Sequence, residues 1–156
     1  MNKLFHYFLC PSSRFIRIIL NEKKVDFNLF IEDFSNPSED YLFKNPGGFF
    51  PTLNTSSNEN IVGSLVIVEY LQNLMLPPIF MIKENDFFID DNLSYVDLYY
   101  GASLTVLDYI DELTFFDYEK LKNLYSIIKS RPSFKKILAD RIVGVNPHSN
   151  YLKLDY

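Results

Sequence analysis

The sequence predicts an α/β N-terminal half of order βαβ, α, ββα, followed by an all-helical half. Three observations predict this. Short runs of β-forming residues alternate with helix-period segments as far as Leu74, Pro77 and Pro78 mark a break, and beyond Ser94 the apolar spacing is helical. Lys3 to Phe8 alternates polar and apolar residues and reads as a strand, which Pro11-Ser12-Ser13 ends in favour of a helix. Phe15, Ile16, Ile18, Ile19 and Leu20 supply the buried side of that helix, with Arg14, Arg17, Asn21, Glu22 and Lys23 as its polar remainder. Val25 to Ile31 returns to the strand pattern, and a short helix over Glu39 to Phe43 follows the serine cap at Ser38.

Lys44 to Gly48 is turn-rich, and Phe49 to Leu53 is a short strand interrupted by Pro51. Glu59 to Val62 reads as the last strand, and Ser64 as the cap of a helix carrying Leu65, Ile67, Val68 and Leu71. In the second half, Ser94-Tyr95-Val96-Asp97 has the form of a capping box, and Leu121, Leu124, Tyr125 and Ile128 place a helix over Tyr118 to Ser130. Arg131-Pro132-Ser133 restarts the chain for one or two helical turns. Ala139 to Tyr156 reads as an irregular tail.

Composition narrows the functional classes. The 156 residues are 47% apolar and 17% aromatic, enough for a core and too much for a disordered chain. Lys and Arg number 15 against 20 Asp and Glu, a net charge of −5, so no basic field is available for a nucleic-acid backbone. No apolar run approaches the roughly 18 residues that span a bilayer, and neither membrane insertion nor a secretory leader is expected. A single cysteine forms no intrachain disulfide, and a reducing cytoplasm is the expected location.

Cys10 is the sharpest chemical feature. It lies between a strand and a helix start, where unpaired N–H groups and the helix dipole favour a thiolate nucleophile; the alternative is a small buried hydrophobe. Pro51, preceded by Gly47-Gly48-Phe49-Phe50, is a candidate cis-proline that would present the Phe50 backbone to a peptide-like ligand. Ser64 offers a hydroxyl and helix N–H groups to a carboxylate, or else caps its own helix. His6 and His148 lack second ligands at metal spacing and read as structural, so no metal site is expected.

Leu9-Cys10-Pro11-Ser12-Ser13-Arg14-Phe15-Ile16-Arg17 resembles the opening of glutathione S-transferases. Asn45-Pro46-Gly47-Gly48-Phe49-Phe50-Pro51-Thr52-Leu53 and Gly63-Ser64-Leu65-Val66-Ile67-Val68-Glu69-Tyr70-Leu71 are similar to two further segments of that family. The resemblance implies a thioredoxin-like N-terminal domain over 1–74, a linker over 75–92, a shortened helical C-terminal domain over 93–138 and a tail over 139–156. The shortening is implied because the stretch between Leu71 and Ser94 is too brief for the two long helices that normally supply dimer contacts and a pocket wall.

By the same resemblance Pro51 is the cis-proline, Phe50 pairs with the cysteinyl part of glutathione, and Ser64 holds its γ-glutamyl carboxylate. Gly63 stands where the family usually has an acidic residue, which removes a contact to the γ-glutamyl amine. Cys10 at the activating position implies mixed-disulfide chemistry with glutathione. Leu107 to Asp111, Lys129 to Phe134, Ala139 to Gly144 and Tyr151 to Tyr156 resemble a subfamily of transferase-like, FtsZ-associated cell-division proteins of alphaproteobacteria, whose tail is implicated in binding FtsZ. Three functions follow as expectations: an interaction protein of cell division with FtsZ as partner, a glutathione-dependent transferase using Cys10, and a vestigial fold. A homodimer is expected with the first two.

Overall fold

The computed structural model describes residues 1–74, 87–88, 92–115 and 118–153. The chain divides into two units, Met1–Ile79 and Phe80–Tyr156. Most of the expected linker, and the last three residues of the tail, lie outside the described residues.

The first unit is a four-stranded sheet of order β2-β1-β3-β4 with three helices, a thioredoxin-like arrangement. β1 (Asn2–His6) pairs parallel with β2 (Phe27–Ile31) and antiparallel with β3 (Thr52–Asn54), which pairs antiparallel with β4 (Asn60–Val62). Pro51 falls before β3, not inside it, so no ladder hydrogen bond is lost to the proline.

Helix α1 (Pro11–Glu22) begins at the proline expected only to end the preceding strand. Proline suits the first helical position because its missing N–H would have no intrahelical partner there. Arg14 and Arg17, part of the polar remainder of α1, are buried with the aliphatic stripe. Arg14 reaches inward and donates from Nε to the Phe8 carbonyl at 2.8 Å, so its charge is spent on holding the β1–α1 connection.

Helix α2 (Glu39–Lys44) is capped by Ser38, whose Oγ accepts from the Tyr41 N–H at 3.2 Å. Helix α3 (Ser64–Asn73) differs from expectation at its cap. Gly63, not Ser64, is the N-cap, with φ of 89°, a backbone conformation that a side chain at this position would strain. Ser64 is the first helical residue.

The second unit holds α4 (Tyr95–Tyr109), α5 (Glu119–Lys129) and α6 (Pro132–Leu138) among its described residues. The capping box forms as read: Ser94 Oγ accepts from the Val96 and Asp97 N–H groups, and Asp97 Oδ2 accepts from the Ser94 N–H at 2.7 Å. Gly101 lets α4 approach closely, since a Cβ there would lie 2.5 Å from Ile128 Cγ2 of α5. Beneath this contact, Asp108 Oδ2 takes the Lys129 ammonium and the Tyr125 hydroxyl, each at 2.8 Å, with both charged side chains buried.

The tail is more ordered than its composition suggests. Ile142 and Val145 form an isolated bridge, and the Tyr109 hydroxyl grips both sides of that turn. It donates to the Val145 carbonyl at 2.8 Å and accepts from the Ile142 N–H at 3.1 Å. Tyr151 is fully buried, its ring edge-on to Tyr109 at 5.0 Å. The turn tip is left in solvent, where Val143 is 100% exposed.

Candidate functional site

Cys10 is the N-cap of α1, in an extended conformation, half-buried, and its side chain makes no capping hydrogen bond. Its N–H donates to the Tyr7 carbonyl and its carbonyl accepts from the Arg14 N–H at 3.0 Å, so the backbone around the sulfur is pinned at both ends. Across from it, the Phe50–Pro51 peptide bond is cis.

The chain from α2 to β3 is held by a buried polar cluster that sequence reasoning missed. The Phe49 carbonyl accepts from the Tyr41 hydroxyl at 2.5 Å and from Asn45 Nδ2 at 2.8 Å, and Thr52 Oγ1 lies 3.1 Å from both partners. Burial pushes the Tyr41 phenol above its ordinary pKa, opposed by its bonds to Thr52 and Asn45, so it stays a neutral donor. The Tyr41 ring also stacks on Phe50, 5.1 Å apart and nearly parallel. The available signal was Asn45 directly before Pro46-Gly47-Gly48, since asparagine commonly ties a turn to its own backbone.

Cys10 and Phe50 line one cavity of about 400 Å³, together with Tyr7, Leu9, Phe34, Gly48 and Phe49. Pro51, Gly63 and Ser64 are not among its lining residues. They join the site through the backbone, because the Gly63 N–H donates to the Pro51 carbonyl at 2.9 Å and so fixes the start of α3 against the cis-proline turn. A Cβ on Gly63 would meet no atom within 4 Å, so open space stands where the family carries an acid.

The cavity wall is apolar and carries no charged side chain. Glutathione has two carboxylates and one ammonium, and each would need a partner to replace its hydration. The start of α3, with Ser64, is a source of N–H donors for one carboxylate. None of the lining residues has a cationic side chain for the second.

His6 and His148 lie in different units. His148 Nδ1 lies 3.2 Å from Asp111 Oδ1, and His6 is fully buried at the end of β1 with neither ring nitrogen hydrogen-bonded. No group of three metal-ligating side chains occurs among the described residues, and no described helix is long and apolar enough to cross a membrane.

A thioredoxin-like sheet whose cis-proline turn faces a cysteine at the start of α1, followed by a helical domain, defines a glutathione transferase-like protein. The chain belongs to the glutathione S-transferase family: residues 4–77 match the family model of its N-terminal domain and residues 66–141 that of its C-terminal domain. It is similar to FtsZ-localized protein A of Caulobacter vibrioides, 34% identical over 76 residues that make up 49% of this chain and 33% of that protein. The matched segment is thus a third of that relative's length. Among solved structures, a glutathione S-transferase from Rhodospirillum rubrum superposes with a TM-score of 0.89 at 22% identity, covering all of both chains. FzlA from C. crescentus superposes with a TM-score of 0.86, also at 22% identity, covering 99% of both. At these identities the structural matches speak for the fold.

Proposed function

We propose that this protein is a glutathione S-transferase-like factor of cell division in the cytoplasm, acting by binding FtsZ and with weak or no glutathione chemistry. The observation that carries this reading is the 34% identity to a protein named for its localisation with FtsZ. The apolar cavity around Cys10 supports the second clause, since its lining offers the carboxylates of glutathione no cationic side chain. Pairing of two copies belongs to the same reading, supported by Leu65 and Val66, exposed on neighbouring positions of α3.

The tail is the proposed FtsZ contact, through the turn that Tyr109 clamps. Removing residues 139–156 is a poor test, because it also strips Tyr151 from the core. Val143→Asp leaves that packing intact, since the side chain touches solvent alone. Combined with Leu152→Asp, at a position 57% exposed, it is expected to weaken co-sedimentation with polymerised FtsZ by roughly tenfold or more with only a small fall in melting temperature, because contacts carried mainly in solvent in the free protein serve binding more than folding. Binding unchanged in the double variant would remove the tail from the interface.

One observation favours a second reading, a glutathione-dependent thiol transferase: Cys10 lies in the cavity wall beside Phe50. There the Cys10 thiolate would attack glutathione disulfide, forming a protein–glutathione disulfide and releasing one glutathione as thiolate. A glutathione titration read by thermal unfolding separates the two. Under the first reading millimolar glutathione raises the melting temperature by less than about 1 °C, because stabilisation scales with the logarithm of ligand over Kd. A rise that grows with concentration and disappears in Ser64→Ala would favour the second.

A further inference from the structure

We propose that β2 is a docking edge for an extended peptide with an apolar centre and basic ends. β2 is the outer strand of the sheet, and its sequence Phe27-Asn28-Leu29-Phe30-Ile31 has no charge, no proline and no bulge. Natural edge strands are usually blunted by one of these, because a free row of N–H and C=O groups templates further pairing.

The free groups can be named. The Glu32 N–H donates to the His6 carbonyl, so by alternation Asn28 and Phe30 turn their backbone groups toward β1. The N–H and C=O groups of Phe27, Leu29 and Ile31 therefore face outward, and none of them has a backbone partner beyond β1 among the described residues. Both faces of the strand are open as well: Leu29 is 42% exposed, Phe30 39% and Ile31 60%. An added strand would bury these side chains as well as pair the backbone.

Charge decides which strand fits. Asp26 precedes β2, and Glu32 and Asp33 follow it. Lys3 sits over the Phe30 ring on the β1 side at 5.7 Å, away from the free edge. A second copy pairing antiparallel about Leu29 would set Asp26 opposite the partner's Glu32 at both ends, and like charges directly opposite each other are unfavourable. A peptide with Lys or Arg at its ends meets an acid at each end instead, and its apolar centre lies along Leu29 and Ile31.

The test uses a fluorescein-labelled synthetic peptide of alternating valine and threonine with two lysines at each end, followed by fluorescence polarisation against the whole protein. Saturable binding is expected. It should weaken at least about tenfold when alternate peptide amides are N-methylated, and similarly when the lysines are replaced by glutamates, because both the ladder and the end charges contribute. Hydrogen exchange at the Leu29 and Ile31 amides should slow on addition of the peptide. Binding indifferent to N-methylation, unchanged exchange at those amides, or self-association of the protein with no peptide binding would each overturn the proposal.

Discussion

Lowering the pH from 7 to 5 is expected to cost this protein about 2 kcal/mol of stability through His6 alone. Burial holds the imidazole pKa down at about 3, helped by the positive charges of Arg17 and Arg14. In the unfolded chain the same group titrates at its ordinary value of 6.5. The folded pKa of this base is therefore depressed. The unfolded state binds the extra proton first, so stability is complete above pH 6.5 and falls by about 1.4 kcal/mol per pH unit down to about 3. Asp33, held below the usual carboxylate range by Ser35, acts in the same direction at lower pH. His6→Leu should keep the fold, because neither ring nitrogen gives up a hydrogen bond and the site is apolar toward Phe8. Urea unfolding at pH 7 and pH 5 checks this: the variant should lose about 2 kcal/mol less than the wild type between the two. Equal losses would show that His6 does not carry the acid sensitivity.

Asp108→Asn is expected to destabilise the helical unit by about 3–5 kcal/mol, because it removes the carboxylate charge that faces the buried Lys129 ammonium. Burial already lowers the Lys129 pKa, and the hydrogen bond and charge of Asp108 raise it back toward its ordinary value. Removing Asp108 takes that raising influence away. The ammonium must then lose its proton on folding, which grows easier as pH rises, so the defect should shrink from pH 7 to pH 10. The rings of Tyr125 and Tyr151, 5.3 and 5.7 Å from the ammonium, ease part of the cost but supply no full charge. In Asp108→Leu combined with Lys129→Met the buried charges are gone, and most of the stability should return. A double variant as unstable as the two single variants added together would mean that the pair is not coupled.

Much of the fold is legible because its signals are local. Serine at the start of α2, the Ser94–Asp97 box and the alternation of β1 each depend on neighbours within four residues. The misreadings share the opposite property. Arg14 and Arg17 belong to the polar remainder of α1 and charge normally implies exposure, yet α1 is covered on nearly all sides and Arg14 finds a partner in the Phe8 carbonyl. Residue type makes Ser64 the cap, whereas the cap is the residue before it, Gly63, at a positive φ. Tyr151 lies in a stretch that looks irregular, and its burial comes from Tyr109, far earlier in the chain. In the candidate site, Cys10, Phe50 and Pro51 could be read from their order. The Tyr41, Asn45 and Thr52 cluster that holds the Phe49 carbonyl could not, since it depends on α2 folding back over β3.

Co-sedimentation of the purified protein with FtsZ, polymerised with GTP and compared with unpolymerised FtsZ, tests the central claim most directly. A protein that acts by interaction should pellet saturably with the polymer, and added glutathione should leave the binding unchanged. Failure to pellet, with a glutathione-dependent thiol-transfer activity that Cys10→Ser abolishes, would contradict the account.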